Sequence, residues 1–349
     1  MFKNIQMLRA CAATLVFLLH FLPHYQAMNG SIELFKAISA WGFTGVDVFF
    51  VISGFVIAHT SINKPKNKQS FLTFIKHRLS RIYLGYWPFL LLASVLIYLY
   101  QPTKFNSLDI VNSIFLTTSN INQLILPVSW TLSYELMFYV IFSSVFFLRL
   151  KYFSLVLISI TCLVLLNGYY HPTIDPSNIT NHMDFIFSPA LLEFFFGVLV
   201  YVYRKQLKQN KFIYIGGVCG LLFCTFGVYF DAKLGLFRTF TFGISAMSFL
   251  VTALALEASK KAVAGKLFIS NGNASYTLYL CHLLWIQLFF VSGVRDFLSN
   301  QPQVIIELGS LCFILMVLLF SHLFYLFIEA PLYKTVRDFS WKKTAIQKP

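Results

Sequence analysis

Ionisable residues stand inside apolar runs of this sequence, among them Arg9 and His20 in the first run, Asp47 in the second, and Glu135, Glu193 and His282 in later ones. At membrane depth each costs at least a few kcal/mol unless it is paired or wetted, so such residues do chemistry or hold helices together. Arg9 and His20 are eleven residues apart. In one helix that is three turns and about 16 Å along the axis. Both therefore point the same way, toward other helices or water. Asp47 lies in Gly42-Phe43-Thr44-Gly45-Val46-Asp47-Val48-Phe49-Phe50-Val51-Ile52-Ser53-Gly54, whose glycines let a neighbouring helix approach closely, and Glu135 ends Ser129-Trp130-Thr131-Leu132-Ser133-Tyr134-Glu135. Both carboxylates fall roughly 10–14 Å below the outer surface, with His20 somewhat above them. A carboxylate beside an imidazole fixes its tautomer, the arrangement a general base needs. His20, Asp47 and Glu135 are thus the candidate catalytic set. The competing role is a buried polar cluster that ties helices together.

A second set is basic and lies in the inner loop 61–83. Lys76-His77-Arg78-Leu79-Ser80-Arg81 places Arg78 and Arg81 three apart, on one face if helical. Guanidinium forks bind phosphate bidentately, so a phosphorylated cytoplasmic cofactor is the sharper reading, against plain contact with lipid headgroups. Arg9 belongs with them. Tyr279 and His282, in Ser275-Tyr276-Thr277-Leu278-Tyr279-Leu280-Cys281-His282, are further site candidates. So is Glu329 at the inner edge of the last run, where it could pair with Arg9 or Arg78. Glu193 is at membrane depth and receives no role.

Elements that would position these residues follow from composition. The chain of 349 residues is 58% hydrophobic and only 11% charged. Soluble domains average about 25% charged, and so few charges cannot cover a water-facing surface. The expected fold is all-α, a polytopic integral membrane protein with about ten transmembrane helices. The runs are 5–22, 38–60, 84–101, 128–148, 152–169, 187–203, 212–230, 239–256, 271–291 and 304–328. Segment 105–127 is mixed and reads as an amphipathic surface helix. With the N-terminus inside, nearly all Lys and Arg fall on the inner side, and only Lys36, Lys104, Lys233, Arg238 and Arg295 fall outside. This is the positive-inside pattern. It puts both termini in the cytoplasm and accounts for the net charge of +14 without nucleic acid. Residues 1–333 form the transmembrane domain and 334–349 a basic cytoplasmic tail. The first run lacks a small-x-small cleavage site and reads as a retained helix. The six cysteines lie in or beside apolar runs without a CxxC pair and read as small buried hydrophobes, with no metal site.

Taken together, these residues resemble the acyltransferase-3 family of integral membrane acyltransferases. Arg9 and His20 resemble its first-helix Arg-x10-His pair, and Gly45 to Phe55 its second-helix signature. Arg78 and Arg81 with Ile82-Tyr83 resemble its Arg-x-x-Arg element. The runs ending at Glu135 and His282, and Glu329-Ala330-Pro331, resemble later motifs. The resemblance implies acyl-coenzyme A on the inner side as donor, acetyl being the group most often carried. It implies a carbohydrate acceptor such as O-antigen or exopolysaccharide, and residence in the bacterial inner membrane. Some members carry an extracytoplasmic hydrolase-like domain at the C-terminus. This chain reads as a stand-alone member that transfers directly or works with a separate extracytoplasmic transferase or polysaccharide-assembly protein. The competing readings are a transporter or flippase for a polar lipid or polysaccharide intermediate, and a non-catalytic scaffold.

Overall fold

The structure, a computed structural model, describes residues 2–338 and is helical throughout with no strand among them. Lys342 and Lys343 of the basic tail lie outside the described residues. The main helices are α1 (Lys3–Ala27), α2 (Glu33–Ala40), α3 (Thr44–Ser61), α4 (Lys68–Tyr100), α5 (Trp130–Ser143), α6 (Leu150–Tyr170), α7 (Ala190–Val202), α8 (Lys211–Tyr229), α9 (Ile244–Ala258), α10 (Lys266–Asn273), α11 (Ser275–Val291), α12 (Gln303–Phe324) and α13 (Ala330–Asp338).

Among the described residues eight helices are long and apolar enough to cross a membrane, or nine if α10 and α11, bent by 66° at their junction, make one span. That is fewer than the ten runs in the sequence, and run 128–148 is the one that falls short. It is helical from Pro127 to Phe146, but its α-helical part is only 14 residues, with a 3-10 turn at each end. Pro127 starts the first turn. At the other end the Ser143 and Ser144 hydroxyls donate to the carbonyls of Val140 and Ile141 at 2.7 and 2.8 Å, a bond pattern that loosens a helix.

Two further segments depart from expectation. Arg78 and Arg81 are not in a loop, because α4 begins sixteen residues before the apolar run, capped by the Asn67 side chain accepting from the Ser70 amide at 2.8 Å. Hydropathy sees only the greasy half of such a helix. Segment 105–127 is not one amphipathic helix either. It breaks after a short helix Ile110–Phe115, and Leu124, Ile125 and Leu126 turn inward and are buried.

Helices α1, α3, α7 and α11 form the inner layer, whereas α6, α8 and α12 expose most of their surface. The tightest pair is α3 against α7. A side-chain carbon at Gly54 would come 1.9 Å from the Phe194 carbonyl oxygen, and one at Gly197 would come 2.0 Å from that of Val51. Small residues are what allow backbones this close in an apolar solvent.

Candidate active site

The first turns of α1, the length of α3 and the middle of α4, with residues of α5, α9 and α11, enclose a cavity of about 520 Å³. Arg9 of α1, Arg78 and Arg81 of α4, Glu135 of α5 and Tyr279 of α11 all line it. The sequence reading spread these five over three runs and one inner loop, and the tertiary fold brings them to one hollow. The rest of its wall is largely apolar, including Val46, Phe49, Ile52 and Leu132.

The charges in this hollow are not neutralised by contact. Among the described residues no ion pair joins Arg9, Arg78 or Arg81 to a carboxylate. Arg78 donates to Thr60 Oγ1 at 2.6 Å and lies 5.6 Å from the ring centres of both Phe74 and Tyr139. Glu135 accepts from the Tyr139 hydroxyl and from Ser53 Oγ at 3.3 Å. Glu257, also on the wall, accepts from the Asn4 amide at 2.9 Å. Glu329 accepts from the Thr277 hydroxyl, and its charge reaches Arg9 and Arg81. It closes the π-helical turn Tyr325–Glu329, a local widening that often marks functional positions. Expected pairing of Glu329 with Arg9 or Arg78 is therefore not a direct contact. Gln6, one turn from Arg9, also lines the cavity, and its buried Oε1 has no partner among the described residues.

His20 is not beside Asp47 or Glu135. Its neighbour is His282: His20 Nδ1 lies 3.1 Å from His282 Nε2, and the ring centres are 5.0 Å apart. The hydrogen positions follow from the acceptors. His282 Nδ1 faces the Leu278 carbonyl at 3.1 Å, and a carbonyl only accepts, so this nitrogen carries the proton of the neutral ring. His282 Nε2 is then an acceptor and takes the proton that His20 Nδ1 also directs at the Val16 carbonyl, 2.9 Å away. His20 is left with a bare Nε2. A helix carbonyl and a second imidazole thus do the orienting that the sequence reading assigned to a carboxylate. The pair does not line the cavity and neighbours it through Tyr279. The Tyr279 ring centre is 6.0 Å from that of His282 and 5.8 Å from Phe49 on the cavity wall. Tyr279 is itself held, its hydroxyl 3.0 Å from the Val128 carbonyl and 2.9 Å from Thr131 Oγ1.

Asp47 belongs to a different cluster. Arg238 grips it with two parallel bonds, Nε to Oδ1 and Nη2 to Oδ2, each 3.0 Å, and Asp47 is 1% exposed. Glu193 adjoins them, its Oε1 3.5 Å from the Thr239 hydroxyl and its Oε2 without a partner among the described residues. The hollow they share is about 10 Å³, room for one water. The charge count had left Arg238 on the outer surface. The short helix Gly235–Arg238 and the π-helical turn Thr239–Gly243 fold it inward instead. A lone arginine at the head of an apolar run was the available signal.

No group of three or more His, Cys, Asp or Glu side chains that could hold a metal ion occurs among the described residues. The acyltransferase-3 family model, described as an acyltransferase domain, matches residues 2–326. A curated relative, the exopolysaccharide production protein ExoZ of Rhizobium meliloti (strain 1021), is 28% identical over 262 residues, 72% of this chain and 79% of that protein. No solved structure matches.

Proposed function

This chain belongs to the acyltransferase-3 family of membrane acyltransferases, and from that premise we propose that it moves an acyl group, acetyl, from cytoplasmic acyl-coenzyme A to a hydroxyl of a cell-surface or lipid-linked carbohydrate. The observation that carries the donor is the cavity: three guanidiniums, none ion-paired with a carboxylate among the described residues, share a largely apolar wall with Tyr279, whose ring neighbours a histidine pair. Phosphates suit the arginines. A long thin arm suits the apolar cavity, and it delivers a thioester to the histidines. A transporter has no use for a coenzyme A phosphate clamp.

In the reaction, His20 Nε2 takes the proton of the acceptor hydroxyl. The oxygen attacks the thioester carbonyl, the C–S bond breaks, and the imidazolium returns its proton to the departing thiolate. His282 is the positioning residue, since its Nδ1 is held by the Leu278 carbonyl and its Nε2 faces His20. Arg78 and Arg81 hold the donor, Arg9 lines the same cavity, and Asp47 with Glu193 anchors helices away from the chemistry. The relative's name, with its exopolysaccharide, favours a polysaccharide of that type as acceptor. With basic ends inside, the acceptor arrives from the outer face of the bacterial inner membrane.

The test is direct binding of acetyl-coenzyme A to the purified full-length protein by calorimetry. Arg78→Ala is expected to raise the donor KM about tenfold or more with little change in kcat, as for loss of a charge-assisted bond. An unchanged donor affinity, or no binding by the wild type, overturns the reading.

A further inference from the structure

The cavity mouth carries an aromatic group that the reaction does not use. His59, near the end of α3, is exposed and lines the cavity with Phe2 and Thr60. One face of its ring lies parallel to Phe55, with centres 6.1 Å apart and 4° between the planes. Phe2 and Tyr201 pack edge-on to it at 5.3 and 5.8 Å. Phe55 is fully buried, so the ring is braced from behind and from both sides while staying open to solvent. An exposed ring braced in this way is a stacking platform.

Cations surround the platform. The guanidinium of Arg204 lies 3.8 Å from the Tyr201 ring centre and donates to the Tyr201 carbonyl at 2.7 Å. Tyr201 is itself fixed by Asn63 Nδ2, which donates to its hydroxyl at 3.0 Å. The charges of Arg204 and Lys208 both reach His59. On the cavity side, Arg78 bonds Thr60, the residue next to His59. Aromatic faces bordered by arginines are how proteins hold a base together with its phosphates, and stacking tolerates any base because each has a π-face.

We infer that His59, braced by Phe2, Phe55 and Tyr201, stacks on the purine of the donor's nucleotide end, with Arg204 and Lys208 holding the phosphate on its ribose. This rests on the donor reading above and adds a subsite to it. Arg78 and Arg81 then take the diphosphate, and the arm runs inward past them.

The probe is 3′,5′-ADP, which has the base and ribose phosphate but neither arm nor thioester, bound by the purified full-length protein in calorimetry. His59→Ala should weaken 3′,5′-ADP and coenzyme A by about tenfold, the effect of losing one stacked ring, and leave pantetheine binding unchanged. His59→Phe should keep wild-type affinity, because stacking needs the ring and not its nitrogens. Arg204→Ala should lose affinity for 3′,5′-ADP and not for 5′-AMP. Unchanged 3′,5′-ADP binding in His59→Ala, equal loss of pantetheine, or a His59→Phe variant as weak as alanine each overturns the subsite. If the wild type binds no coenzyme A, it is the donor reading that fails. If it binds coenzyme A and His59→Ala is indistinguishable from it, only the subsite fails.

Discussion

At the scale of single residues, the decisive feature is which nitrogen of His20 is free. Its Nδ1 is committed to Val16 and His282, so only Nε2 can accept a proton. General-base help contributes about 10²–10⁴-fold. His20→Ala is therefore expected to lower acyl transfer by that factor while the protein stays in the membrane at wild-type amounts, read by glycan mass analysis and membrane immunoblot. Full activity in a folded variant would remove His20 from the mechanism. His282→Ala should lower kcat with donor KM unchanged. His282→Gln, which can offer a carbonyl acceptor to His20, should recover part of that loss. Equal activity of the Ala and Gln variants would count against the tautomer argument. The sequence alone showed two membrane histidines but not that they touch, because 262 residues separate them.

At the scale of elements, two contacts decide whether the site exists. The Gly54–Gly197 crossing brings α3 and α7 into backbone contact. Gly54→Ala must push a carbonyl aside, and overpacking of this kind costs about 1–3 kcal/mol. A lowered melting temperature in detergent is the expected result, and an unchanged one would show that the crossing is looser than described. The second contact is Asp47 with Arg238, which fastens α3 to the start of the helix that becomes α9. Removing one partner of a buried pair costs about 3–5 kcal/mol, because the other charge is left unpaired, whereas replacing both by apolar residues is often neutral. Asp47→Leu should thus lose folded protein, and Asp47→Leu with Arg238→Met should regain both folding and acyl transfer. If the folded double variant is inactive, Asp47 has a role in the chemistry after all. The second-helix glycines were legible as close-packing positions. The partner of Asp47 was not, because charge counting treats an arginine beside an apolar run as surface.

For the whole molecule, orientation is carried by the basic segments, most of which lie between alternate spans. Reporter fusions should find residue 208 on the cytoplasmic side and residue 231, across α8, on the other. Phosphatase activity at 208 and none at 231 would invert the protein and put the arginine cavity on the side without coenzyme A. Composition by itself was enough to place the chain in a membrane as an all-helical protein, since 11% charge cannot solvate a surface. The Arg-x10-His and Arg-x-x-Arg spacings, in order with the other motifs, were enough for the family, because each is local to one helix and needs no contact map. Tertiary structure alone decided the rest. It extended α4 to carry Arg78 and Arg81 into the bundle, shortened α5, and gave Asp47 to Arg238 instead of His20. It also joined His20 to His282 and set them beside Tyr279, which lines the arginine cavity. These outcomes depend on which helix faces meet. Where nearly every face is apolar, the periodicity that reveals facing in a soluble helix is absent, so the sequence holds little record of it.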